Sequence, residues 1–115
     1  MTFVIEESRT GQYSLNKIYS GSHWSARKRD AEYWHRLTQQ ALMAAGIPKH
    51  PTDGPWMVAM LYNDRLDADN HGFITKCVVD GLKGWVIPDD TRKYLKSVTQ
   101  GFWEGKGVLV VVEEI

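Results

Sequence analysis

The chain has 115 residues, 43% hydrophobic and 11% aromatic, which suits a single domain over residues 1–115 and excludes a disordered chain. Its 14 basic and 14 acidic side chains give a formal net charge of +0, so total charge supplies no long-range attraction to nucleic acid. The single cysteine, Cys77, excludes an intrachain disulfide and a cysteine-rich zinc site, and points to a reducing compartment.

The first residues, "MTFVIEESRTGQYSLNK", place acids where a secretory leader needs positive charge and then an apolar run. No apolar stretch approaches the ~20 residues of a bilayer span. A soluble cytoplasmic protein without membrane contact is expected. "FVIEE" reads as a short strand, and "GQYSLNKIYSGS" as a loop rich in Gly and Ser.

From His23 to Ala45 the spacing is helical, with Trp24, Ala31, Trp34, Leu37, Ala41, Leu42 and Ala45 on one side. Ser22 is the expected N-cap and Gly46 the stop, with Pro48 beyond it. Lys28, Glu32, His35 and Gln39 face the other way. Trp24 is expected in the core stripe; the alternative is an indole free to stack on nucleic acid.

"GIPKHPTDGP" is a turn-rich connection, and "WMVAMLYND" a mostly buried strand that "DADNHGF" breaks. "ITKCVVDGLKG" has helical spacing through Ile74, Val78 and Leu82, ending near Gly84. "YLKSVTQGFW" and "VLVVVEEI" are strand-like, and "EGKG" between them signals a hairpin. The resulting order, β-α-β-α-β-β, predicts an α+β domain: a small mixed β-sheet with two main helices packed on it.

Charge is unevenly spread. Between Asn16 and Arg36 lie five basic residues (Lys17, Arg27, Lys28, Arg29, Arg36) and two acidic ones; from Pro51 to Ile115 there are ten acidic and seven basic. The basic segment is the natural surface for phosphates, against the ordinary alternative of a solvated helix face.

The acidic segment "RLDADNHGFITKCVVDGLKGWVIPDD" holds Asp67, Asp69, Asp80, Asp89 and Asp90. If "DAD" is extended, Asp67 and Asp69 point to one side and repel unless a cation sits between them. Magnesium and manganese take oxygen ligands, so these carboxylates with a third from Asp89 or Asp90 make a reasonable set. Asn70 is placed to orient a carboxylate or ligand water, and Lys76 to offset negative charge on a phosphate. The ordinary alternative is that such acidic clusters are turns and caps. The four histidines show no close ligand spacing, and no phosphate-cradling glycine loop or nucleophile elbow is present.

Taken together, "DADN", "KCVVDGL" from Lys76 to Leu82, and "PDD" resemble the RusA family of Holliday junction resolvases, small endonucleases of phages and prophages. "SLNKIYSGSHWSARKRDAEYW" and the closing "GKGVLVVVEEI" are similar to the phage branch, so the likeness spans nearly the whole chain. The resemblance implies a Mg²⁺-dependent crossover junction endodeoxyribonuclease, with Mn²⁺ as substitute, working as a RusA-like homodimer on four-way DNA junctions. It implies Asp67, Asp69 and Asp90 as metal ligands, Lys76 as the catalytic lysine, and Asn70 and Asp89 as supporting residues. Asn16, Lys17, Arg27, Lys28, Arg29 and Arg36 are the expected DNA contacts. The competing readings are a noncatalytic DNA-binding protein on the same fold and a nuclease for flaps or other branched DNA.

Overall fold

Alternation of apolar side chains builds the sheet. The computed structural model describes residues 1–20 and 23–115. Strands β1 (Thr2–Ile5), β2 (Trp56–Tyr62), β3 (Leu95–Phe102) and β4 (Val108–Glu114) form one sheet in the order β1-β4-β2-β3. β4 runs antiparallel to both β1 and β2, whereas β3 is parallel to β2. Val58 lies between Val112 and Val98, and this register puts Phe3, Ile5, Trp56, Val58, Met60, Tyr62, Val108, Val110 and Val112 on one buried face. The other face, with Met57, Ala59, Leu61 and Val111, is partly exposed.

Two long helices complete the core, α2 (Trp24–Ala44) and α3 (Gly72–Leu82). Trp34 and Leu42 of α2 and Ile74, Val78 and Leu82 of α3 are fully shielded in the same cluster as the strand residues. The helices approach closely at Gly81, where an added Cβ would lie 2.9 Å from Thr38 Cβ. Gly46 stops α2 as expected: its φ of +71° suits glycine, and Ile47 N donates to Leu42 O. No helix among the described residues is long and apolar enough to cross a membrane.

The α+β class and element order agree with the sequence reading; four details do not. The "GQYSLNKIYSGS" loop contains a 3₁₀ turn (Thr10–Tyr13) and a short helix, α1 (Leu15–Tyr19), whose N-cap Ser14 accepts from Lys17 N. The N-cap of α2 is His23, whose side chain accepts from Ser25 N; the expected cap, Ser22, lies outside the described residues. Trp24 is 62% exposed, because it opens the helix nearly three turns before Trp34, the first buried position.

The closing hairpin is absent: β2 lies between β3 and β4. The 103–107 connection steps over the end of β2, with Trp103 N donating to Tyr62 O and Asn63 Nδ2 to Gly105 O. Two strand spacings are roughly 10 Å, which five residues span easily. Turn glycines therefore served a step across one strand, and Gly107 (φ +80°) sits against the Ile5 carbonyl where a Cβ has no room.

One buried acid ties the end of β1 to α2. Glu7 accepts from Arg9 Nη2 at 2.7 Å, Arg9 Nε at 3.2 Å and Tyr33 Oη at 2.6 Å. The Arg9 bond outweighs burial and holds the Glu7 carboxyl down at about 2, below its usual 4.5. A depressed folded value means stability that is complete above the unfolded pKa near 4.5 and is lost as pH falls toward 2. Glu7→Gln is expected to cost about 1–3 kcal/mol at neutral pH. It should also flatten the fall in urea midpoint between those two pH values; an unchanged slope would remove Glu7 from the acid response.

Candidate active site

The chain leaves β2 at Tyr62 and enters α3 at Gly72 through a turn pinned by a buried acid–histidine pair. Asp64 accepts from Thr10 Oγ1, from Leu66 N at 3.0 Å, and faces His71 Nε2 at 2.8 Å. The other ring nitrogen, Nδ1, lies 2.9 Å from Ala68 O. His71 is fully buried and stacks on Tyr62 with ring centroids 3.9 Å apart. Both residues escaped the sequence reading, which weighed the histidines only as zinc ligands and began the acidic cluster after Asp64. The available signal was an acid at a strand end, seven residues before a histidine that opens a helix.

That pinned turn presents Asp67 and Asp69. Asp67 is the extended cap residue of a 3₁₀ turn (Ala68–His71), and Asp69 lies inside the turn. The expected extended "DAD" is thus corrected: the 3₁₀ turn rotates Asp69 away from the shared side that a strand would give. Both side chains are exposed, without ion pair or side-chain hydrogen bond among the described residues. Asn70 donates its backbone N–H to Asp67 O, and its side chain holds neither aspartate.

On α3, Lys76 Nζ lies 3.0 Å from Asp90 Oδ2 and 3.1 Å from Asp80 Oδ1. Lys83 Nζ reaches the same two acids, at 3.3 Å from Asp80 and 3.5 Å from Asp90. Contact with the carboxylates of Asp90 and then Asp80 raises the Lys76 ammonium above its ordinary value, and the bond that Lys76 donates lowers Asp90. Asp89 Oδ1 accepts from Asp90 N at 2.8 Å, a turn contact that holds the Asp90 backbone. Lys83 was not singled out in the sequence, since only folding reveals that it shares its partners with Lys76.

Lys76 and Asp90 also line a groove of about 290 Å³ with Gly72, Thr75, Val79, Leu95 and Val98. Gly72 ends the turn that carries Asp67 and Asp69, so the groove runs from that turn to Asp90. Among the described residues no three His, Cys, Asp or Glu side chains are already gathered as a metal-binding group. The donor chemistry nevertheless suits a hard cation: two free carboxylates on the turn, and a third, Asp90, held by lysines. Burial pushes the Cys77 thiol up to about 12, which removes it as a nucleophile.

The basic segment approaches this site through α1. α1 packs against α3 and the 3₁₀ turn, with Leu15 set against Gly72. Asn16 and Lys17 on α1 are exposed, as are Lys28, Arg29 and Arg36 on α2; Arg27 is half-buried, its guanidinium 5.5 Å from the Tyr19 ring centre. No protein-family model, curated protein or solved structure matches the chain.

The two kinds of aspartate should separate by stability. Asp64→Ala leaves buried His71 without its partner and is expected to cost about 3–5 kcal/mol. Asp67→Ala and Asp69→Ala remove side chains without partners and should stay within about 0.5 kcal/mol of the parent. Urea denaturation of the three variants decides; a large loss at Asp67 or Asp69 would make those residues structural.

Proposed function

We propose that the chain is a metal-dependent endonuclease of RusA type that resolves four-way DNA junctions by paired cuts, as a homodimer. The observation that carries the reading is the 3.0 Å contact between Lys76 and Asp90, which joins two parts of the motif that are 14 residues apart in sequence. Asp67, Asp69 and Asp90 are the residues to hold Mg²⁺, or Mn²⁺ in its place, which when bound supplies Lewis acidity toward the phosphate and a water of lowered pKa.

The chain's own groups do the rest. Lys76 is the cation beside the scissile phosphate, and it offsets charge that builds on the phosphoryl oxygens. Asn16, Lys17, Arg27, Lys28, Arg29 and Arg36 hold backbone phosphates, contacts that position DNA without reading its sequence. Exposed Trp24 at the start of α2 offers a face on which an unpaired base at the branch can stack. Each protomer has one such site, and a twofold dimer supplies the second cut on the opposed strand.

A second reading is supported by Asp90 itself. Two lysines already satisfy it, as in a structural ion-pair network, which fits a noncatalytic DNA-binding protein on this fold.

Labelled four-way junction, linear duplex and flap DNA, each with Mg²⁺, Mn²⁺ or EDTA, separate the readings. The expected result is paired symmetric nicks in junctions alone, lost with EDTA and reduced at least ~100-fold by Asp69→Asn or Lys76→Met. Cleavage of flaps in preference to junctions would move the substrate to other branched DNA. Binding without cleavage under every metal condition would favour the noncatalytic reading. Reversing Arg27 and Arg29 to Glu should weaken junction binding and lower the slope of log K on log salt by about one per lost phosphate contact.

A further inference from the structure

Lys76, Asp80, Lys83 and Asp90 form a closed ring of alternating charge. Its successive contacts are 3.1 Å (Lys76–Asp80), 3.3 Å (Asp80–Lys83), 3.5 Å (Lys83–Asp90) and 3.0 Å (Asp90–Lys76). Asp80 Oδ1 is buried without a hydrogen-bond partner among the described residues, so the neighbouring ammonium charges are what compensate it. His35 Nε2 of α2 stands 3.8 Å from the other oxygen of Asp80. Asp80 therefore has reason to keep a lysine, whereas Asp90, which lines the groove, can exchange its own.

We propose that Lys83 is a positioning residue: with Lys76 it latches Asp90, and a divalent cation competes with both ammonium groups for that carboxylate. The inference rests on the reading of Asp90 as a metal ligand. Each oxygen of Asp90 has an ammonium group beside it, Lys76 at Oδ2 and Lys83 at Oδ1, so a cation on either oxygen would sit against a like charge. When the latch opens, Asp80 keeps Lys83 at the site. Lys83 then compensates the shielded Asp80 Oδ1, and Lys76, 64% exposed along its side chain, is released toward the phosphate. The latch keeps Asp90 neutralised without metal and hands its lysine to the substrate with metal.

The test is Mn²⁺ affinity, measured by titration calorimetry on the full-length protein without DNA. Lys83→Met is expected to bind Mn²⁺ about fivefold tighter, the scale of one partly exposed ion pair. Lys83→Arg, which keeps charge and reach, should restore the parent affinity. Lys93, whose ammonium lies over the Tyr94 ring at 5.2 Å, supplies the control: Lys93→Met should leave affinity unchanged. Unchanged or weaker binding by Lys83→Met overturns the latch, as does an equal gain in Lys93→Met, which would reveal a general field effect. A parent protein that binds no Mn²⁺ overturns the metal reading and the latch with it.

Discussion

Because β3 lies parallel to β2, the chain must travel back along the sheet between them, and this requirement builds the site. The outward leg is the turn after β2, which carries Asp67 and Asp69. The return leg is α3, which carries Lys76 and Asp80. The last leg, residues 83–94, brings Asp90 back alongside α3 before β3 begins. An antiparallel partner for β2 at that edge would need only a short turn, and Lys76 and Asp90 would have no reason to meet. The pairing of β2 and β3 is thus the constraint from which the arrangement of charges follows.

Within that frame the acids fall into three electrostatic states. Glu7 and Asp64 are consumed by the fold: one clamps β1 to α2, the other holds the turn through His71. Asp80 and Asp90 are shared between two lysines, so each charge is balanced locally. Asp67 and Asp69 stand in solvent with no side-chain partner among the described residues, on a turn that Asp64 and His71 have already immobilised. Repulsion between free carboxylates ordinarily favours a mobile turn. Here the buried pair beneath them resists that, which is how a site keeps uncompensated charge in place for a cation.

The parts of the fold legible in the sequence are those that a single periodicity determines. Phe3 and Ile5, the alternate residues of "WMVAMLY", the Ile74–Val78–Leu82 stripe and the run of valines in β4 each mark a buried face without reference to any other segment. Strand adjacency is different. "EGKG" carries the chemistry of a tight turn, but whether β2 slips between the flanking strands depends on the 103–107 loop reaching over Tyr62, a contact between segments far apart in sequence. Trp24 was misjudged for a related reason: helical phase places it in the stripe, and only the length of the sheet shows that the stripe overhangs the core. In the candidate site, residue types were legible but partnerships were not. Asp64, His71 and Lys83 have unremarkable neighbours in sequence and acquire their roles from Thr10, Tyr62, Asp80 and Asp90.

The rotational setting of α3 decides whether Lys76 meets Asp90, and a buried polar chain next to Lys76 sets it. Tyr62 Oη lies 2.7 Å from Thr75 Oγ1, which donates to Gln100 Oε1 at 2.6 Å. With Thr75 giving its proton to Gln100, the Tyr62 hydroxyl is the donor to Thr75. Desolvation raises the Tyr62 phenol well above its ordinary value, so it stays a donor. These bonds join β2, α3 and β3 at one point of the helix. A residue adjacent to Thr75 is turned by about 100° from it. Fixing Thr75 inward, toward the seam between β2 and β3, therefore fixes Lys76 at the groove rim. A purely apolar contact at position 75 would set the rotation of α3 less sharply, because apolar attraction has no preferred direction. A buried hydroxyl held between two partners has one, since any shift that breaks a bond leaves a polar group unsatisfied in the core. The precision of the charged ring at the surface is inherited from this uncharged chain beneath it.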